Sequence, residues 1–156
     1  MKPTTQAEED ALRTIREIQD LISTIEKLRT ETEIIDRLIH DLNQGYAPKE
    51  QDLKPLDLTP QPLTLLKLRL RGIQETKKAA LFEHESKFRD KKELLEDIMR
   101  CPVCRGHGIT MKRVYDRSDG RITTIAKTEI CCQCGGTGRR EMSDYIKDLM
   151  RLLPIN

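Results

Sequence analysis

The sequence predicts a mainly α-helical protein: a long antiparallel helical hairpin of coiled-coil character, then a small cysteine-rich β-hairpin module, then a short C-terminal helix. Three observations lead there. Residues 7–42 and 62–100 carry apolar side chains at helical spacing, and a stretch with three prolines and a glycine separates them. The composition, 35% charged and 3% aromatic with no Trp, offers little bulky material for a compact core and suits long helices. Residues 101–138 hold two copies of one cysteine–glycine motif, joined by a β-branched segment. Disorder is excluded because both charge signs are interspersed among regularly recurring aliphatic residues. A chain of 156 residues holds one domain, or one small domain attached to an elongated element.

The first helix is expected over about 7–42, a span free of Pro and Gly. Ala11, Ile15, Ile18, Ile22, Ile25, Leu28, Ile35, Ile39 and Leu42, with Thr32 filling one gap, follow steps of three and four and form a seam. Consecutive steps of three around Ile25 break a strict heptad. Thr4 or Thr5 can cap the start, and Asn43-Gln44-Gly45 can stop the helix. Leu12, Leu21, Ile34 and Leu38 widen the stripe beyond one seam. This predicts a homo-oligomer, with a dimer favoured, or another protein as partner.

Residues 44–61 read as an irregular connection. The second helix is expected over about 62–100, with Leu63, Leu66, Leu70 and Ile73 opening its seam and Leu94, Leu95, Ile98 and Met99 closing it. Its middle is polar apart from Ala79, Ala80, Leu81, Phe82 and Phe88, and Leu65–Arg71 also alternates like a strand. Two helices of similar length joined by a short link fold back as an antiparallel hairpin. Residues 1–100 therefore make a stalk, 101–140 a module of their own, and 141–156 a C-terminal helix with Met142, Ile146, Leu149 and Leu153 on one face.

Charge distribution supports this pairing. Residues 1–43 hold 6 basic and 10 acidic side chains, 62–100 hold 10 and 7, and 101–140 hold 8 and 3. An acidic first helix and a basic second one favour packing against each other. The net charge of +2 is too small to announce a nucleic-acid partner. No apolar run approaches the ~20 residues that span a bilayer. The opening MKPTTQAEED has no apolar signal stretch, so a cytoplasmic protein is expected.

The chemistry lies in CPVCRGHG (101–108) and in Cys131 followed by CQCGGTG (to 138), each reading CxxCxGxG. Two thiolates two residues apart can grip one metal ion on a tight turn, and two such turns complete a tetrahedron. Zinc, one ion per chain, is the expected cofactor, held by Cys101, Cys104, Cys131 and Cys134. Gly106, Gly108, Gly136 and Gly138 let the backbone curl around the ion. Four of five cysteines in CxxC pairs fit metal binding in a reducing compartment better than disulfides. Cys132 offers an alternative ligand to Cys131, but the CxxC spacing favours Cys131. Between the motifs, residues 109–115 and 121–130 flank a turn signature, RSDG, and read as a β-hairpin.

These repeats resemble the cysteine-rich zinc domain of DnaJ-type (Hsp40) co-chaperones, in which two CxxCxGxG repeats form each zinc site. The resemblance covers 101–138 only and implies a zinc-stabilised hairpin that contacts other proteins. Two repeats stand here rather than four, with no HPD-bearing J-domain and no peptide-binding β-domains, so Hsp70 stimulation is not carried over. The module followed by a short helix is also similar to anti-TRAP-type regulators, which are oligomeric and inhibit a partner protein. Phage antitermination proteins with paired cysteine motifs are a looser comparison.

CPVC lacks the βαβ context of a redox motif. His107 reads as a surface residue, since four cysteines close the site, and His40 and His84 lie on charged helical segments and read as solvated. Lys112, Arg113, Arg117, Arg121, Arg139 and Arg140 are candidate nucleic-acid contacts, although Tyr115 is the one stacking aromatic nearby. No paired carboxylates, nucleophile–base set or phosphate loop is present, and a closed zinc site has no open position. An enzyme is not expected. The function class implied is a non-enzymatic interaction protein acting as adaptor, regulator or chaperone-like binder. The alternative is a nucleic-acid-binding or transcription-regulatory protein that uses the basic hairpin.

Overall fold

The computed structural model describes residues 5–59, 61–116 and 123–154. It is mainly helical: two long packed helices, a two-stranded antiparallel hairpin and a short C-terminal helix. In order, these are α1 (Gln6–Asn43), α2 (Glu50–Leu53), a 3-10 turn (Lys54–Leu56), α3 (Leu63–Met99), β1 (Ile109–Asp116), β2 (Thr123–Ile130) and α4 (Asp144–Arg151).

Helix α1 starts at a capping box. The Glu8 amide donates to Thr5 Oγ1 at 3.3 Å, and the Thr5 amide donates back to Glu8 Oε2 at 3.1 Å. It ends on Gly45 at φ 84°, where the Tyr46 amide reaches the Asp41 carbonyl at 2.9 Å, a Schellman closure. The seam read from the sequence is buried at Ala11, Ile15, Ile18, Ile25, Leu28, Thr32 and Ile35 and half-buried at Ile22, Ile39 and Leu42. Thr14 joins it, its hydroxyl donating to the Asp10 carbonyl four residues back at 2.8 Å. That internal bond is how a polar residue can occupy a core position.

The chain forms two compact units. One comprises residues 17–91. Its core gathers Ile35 and Leu38 of α1, Leu53 of α2, and Leu66 and Leu70 of α3, bordered by Ile34, Ile39, Leu42, Leu56, Leu58 and Ile73. The connection is therefore not simply irregular. It forms a helical turn that inserts Leu53 as a plug between the long helices, at 1% exposure. The strand-like alternation of Leu65–Arg71 is overridden, because a helix places Leu66 and Leu70 together on the core side and leaves Leu65 and Leu68 outside. Leu63, the first residue of α3, and Leu94, read as seam residues, are exposed. Ion pairs join the helices at Lys91–Glu17, Lys77–Glu31 and Lys78–Asp36, with the acid on α1 and the base on α3 in each. Arg29–Glu85 reverses the order. Such surface pairs are worth ~0–1 kcal/mol each, so they set register more than stability.

The other unit comprises residues 1–16 and 92–156. Its buried apolar side chains come from three segments: Ala11 and Ile15, Leu95 and Met99, and Met142, Ile146 and Leu153. Helix α4 shows the expected apolar face, with Leu149 half-buried. The Ser143 amide, at the α4 N-cap, donates to Glu8 Oε1 at 2.9 Å, so one carboxylate both caps α1 and ties the C-terminal segment to it. Those amides hold the Glu8 carboxyl below the ordinary carboxylate range, the Thr5 amide contributing most and the Ser143 amide next.

Candidate metal centre

The two cysteine motifs fold into two turns of the same construction, and they interlock. Each step in one has a counterpart thirty residues later. The Cys101 amide donates to the Gly138 carbonyl and the Cys131 amide to the Gly108 carbonyl, both at 2.9 Å. Amides of Gly108 and Gly138 donate to Cys104 Sγ at 3.2 Å and Cys134 Sγ at 3.3 Å. The Arg140 amide donates to the Met99 carbonyl at 2.7 Å, and Arg100 bridges Arg139. The second knuckle is thus laced to the end of α3, which leads directly into the first.

Glycine is required where the turns cross. Gly108 and Gly138 lie at φ 74° and 71°, a region that side chains rarely adopt. A Cβ on Gly108 would press into the Gly136 carbonyl oxygen, and one on Gly138 into that of Gly106. Only hydrogen at these positions lets the two backbones meet closely enough to bring four sulfurs together. The symmetry is broken at one place: Arg105, at φ 51°, occupies the conformation that Gly135 takes in the second knuckle at φ 59°.

The Sγ atoms of Cys101, Cys104, Cys131 and Cys134 all lie within 4.8 Å of one another. Cys101 and Cys131 stand 3.8 Å apart, Cys104 and Cys134 3.7 Å apart. A tetrahedron with metal–sulfur bonds of about 2.3 Å has edges of about 3.8 Å, so the donor set has the right size for a tetrahedral thiolate ion. Cys101, Cys104 and Cys131 are buried and Cys134 is half-buried, while Cys132 lies exposed outside the cluster. The environment treats the thiols unequally. Burial drives Cys131 up to about 11. Burial also opposes ionisation of Cys134, but the amide of Gly138, the Cys104 thiol and the amide of Gly136 together outweigh it and bring Cys134 down to about 6. Hydrogen bonding from the Cys104 amide, against burial, lowers Cys101. Amides aimed at sulfur are the donors that a bound thiolate needs.

From this base β1 and β2 run out as a ladder from Ile109↔Ile130 to Asp116↔Thr123. Strand alternation separates two faces. One carries Ile109, Met111, Arg113 and Tyr115 opposite Ile130, Thr128, Ala126 and Thr124, and every one of these residues is exposed. The other carries Lys112 directly opposite Lys127, then Val114 opposite Ile125.

Among the described residues, the basic side chains read from the sequence do not all share one face of the hairpin. Lys112 and Arg113, as neighbours on a strand, fall on opposite faces of the hairpin. Arg139 is exposed beyond the second knuckle, and Arg140 is half-buried, with no hydrogen-bond partner for its Nε among the described residues. Arg117, Arg121 and the RSDG turn lie outside the described residues. His107 and His40 are exposed. His84 departs from expectation: it is half-buried, its Nδ1 shielded and without a hydrogen-bond partner among the described residues. Lys127 was missed because only the strand register shows that it faces Lys112.

Comparison with protein-family models, with curated proteins and with solved structures returns no match. Among the described residues, no helix is long and apolar enough to cross a membrane.

Proposed function

We propose that this chain is a zinc-binding, non-enzymatic protein-interaction module, with a DnaJ-type double knuckle fixing a β-hairpin that docks another protein. The observation that carries this reading is the four-sulfur cradle, with two edges of 3.7 and 3.8 Å and all four sulfurs within 4.8 Å, crossed by two glycines that no other residue can replace. Four thiolates fill a tetrahedral ion, so no coordination position is open to a substrate, and the ion acts as a structural clamp. An isolated two-stranded hairpin is marginal in water, which makes a clamp at its base worthwhile. What the clamp presents is the exposed face of Ile109, Met111, Tyr115 and Ile130, with Met111 83% and Ile130 70% exposed. Exposed apolar surface beside a polar surround is where proteins meet partners. Metal-binding thiols require a reducing compartment, so the cytoplasm is the proposed location. Adaptor, regulator and chaperone-like binder remain the roles this class takes.

Metal analysis of the purified chain tests the clamp: one zinc per chain is expected, and metal-free protein that keeps its hairpin would refute it. Cross-linking in cells from the native host, comparing the wild type with Met111→Glu/Ile130→Glu, tests the docking face. Adducts lost in the variant support the reading, and an unchanged pattern sinks it.

One observation favours a nucleic-acid reading. Like charges directly opposite each other destabilise a hairpin, and Lys112 faces Lys127, a repulsion that a bound phosphate would relieve. Gel shifts that weaken steeply with salt and vanish in Lys112→Glu/Lys127→Glu would move the assignment to that class.

A further inference from the structure

Helix α3 carries two apolar stripes, and the chain itself uses one. Leu66, Leu70 and Ile73 face the core. On the other side, Leu65, Leu68, Gly72, Glu75, Ala79, Phe82 and Ser86 follow alternating steps of three and four, the spacing of a second coiled-coil seam. Leu68 is 63% and Phe82 69% exposed, and only Ser86 is partly covered. Glycine weakens a helix interior relative to Ala, and a Cβ at Gly72 would meet nothing, so packing within the chain gives no reason for it.

The charges beside this seam are segregated. Arg69 and Arg71 flank its first half, and Glu83 and Glu85 flank its second. Among the described residues neither arginine has an acidic partner within ion-pair distance. Glu83 engages Lys87 and Glu85 engages Arg29 through Oε1 alone, which leaves the second oxygen of each carboxylate.

We infer that this seam pairs two copies of the chain through antiparallel α3 helices, with Phe82 of each copy seated over Gly72 of the other. Placing Gly72 opposite Phe82 of the second copy sets the whole register. Leu68 then meets Ser86, Glu75 meets Ala79, and the Arg69–Glu83 and Arg71–Glu85 pairs form twice each by symmetry. A parallel arrangement fails on the same residues. It stacks Gly72 on Gly72, leaving a void, and buries Glu75 against Glu75. The seam is self-complementary in one orientation only, which selects a second copy over an unrelated helix. Near the twofold axis Lys78 faces its own copy, and its pairing with Asp36 at 3.6 Å tempers that repulsion. Of the wide stripe of α1, Leu38 is buried in its own core, Ile34 packs against it, and Leu12 and Leu21 are half-buried, so it offers less bare apolar surface than this face of α3. The inference is independent of the metal-binding reading.

Sedimentation equilibrium on the full chain with zinc tests it, with circular dichroism confirming that each variant keeps its helix. The wild type is expected to dimerise below about 100 μM. Phe82→Glu and Gly72→Leu, both at exposed positions, should yield monomer, and Gly72→Leu raises helix propensity, so misfolding cannot mimic that result. Arg69→Glu should weaken the dimer roughly tenfold, and adding Glu83→Arg should restore it. A monomeric wild type overturns the inference. So does a dimer indifferent to Phe82→Glu and Gly72→Leu, or one that Glu83→Arg fails to rescue.

Discussion

Replacing Gly138 with Ala probes the crossing of the two knuckles at its tightest point. The new methyl would press into the Gly106 carbonyl oxygen, backbone that cannot swing aside as a side chain can. Two costs combine. An alanine at φ 71° is strained by roughly 1–2 kcal/mol. The backbones must also separate, which stretches the Cys101 amide from the Gly138 carbonyl at 2.9 Å, and a buried group left unpaired costs about 1–3 kcal/mol. Together these give about 2–5 kcal/mol, or a loss of roughly thirtyfold to several thousandfold in metal affinity at about 1.4 kcal/mol per decade. Gly135→Ala is the matched control. It has a similar backbone conformation at φ 59° but nothing within 4 Å of an added Cβ, so only the strain applies. Competition with a chromophoric chelator measures both, and cobalt absorption reports whether tetrahedral thiolate geometry survives. Equal affinities for the two variants would show that the crossing is not what positions the sulfurs.

Four further outcomes follow from the same structure. Cys131→Ser should lose the metal while Cys132→Ser retains one zinc per chain by elemental analysis, since only Cys131 places its sulfur in the cluster. Leu53→Ala should lower unfolding stability in urea by ~2–5 kcal/mol, although its helix is only four residues long, because the side chain is 1% exposed at the centre of a core. Glu8→Gln should loosen the C-terminal segment, seen as faster amide exchange at Ser143. Because Glu8 has a lowered pKa when folded, its stabilisation is present above the unfolded carboxyl value and is lost as pH falls through the folded one. The melting-temperature gap between wild type and Glu8→Gln should therefore close in acid below the ordinary carboxylate range, and a gap that persists there would contradict this.

Periodicity and motif spacing determined much of this protein without a structure. Steps of three and four name most of the buried side of α1, because a helix repeats every 3.6 residues whatever it packs against, although Leu38, read as beside the seam, and Thr14 are buried as well. Thr4 or Thr5 is legible as the cap of α1, and the structure uses Thr5; two CxxCxGxG repeats pick out the four cysteines whose sulfurs cluster, because the geometry is local to each turn. Tertiary structure alone decided the rest. Leu53 becomes core only because α1 and α3 open a gap at that level, and nothing in its proline-flanked surroundings says so. Leu65–Arg71 fits strand and helix equally until Leu66 and Leu70 find Ile35 and Leu38 to cover. Strand pairing puts Lys127 against Lys112 and sends Arg113 to the far face, a separation invisible when basic residues are counted along the chain. The second stripe of α3 is likewise a tertiary outcome: Leu65 and Leu68 belong to a strand-like alternation in the sequence, and only the burial of Leu66 and Leu70 leaves them bare on the opposite side.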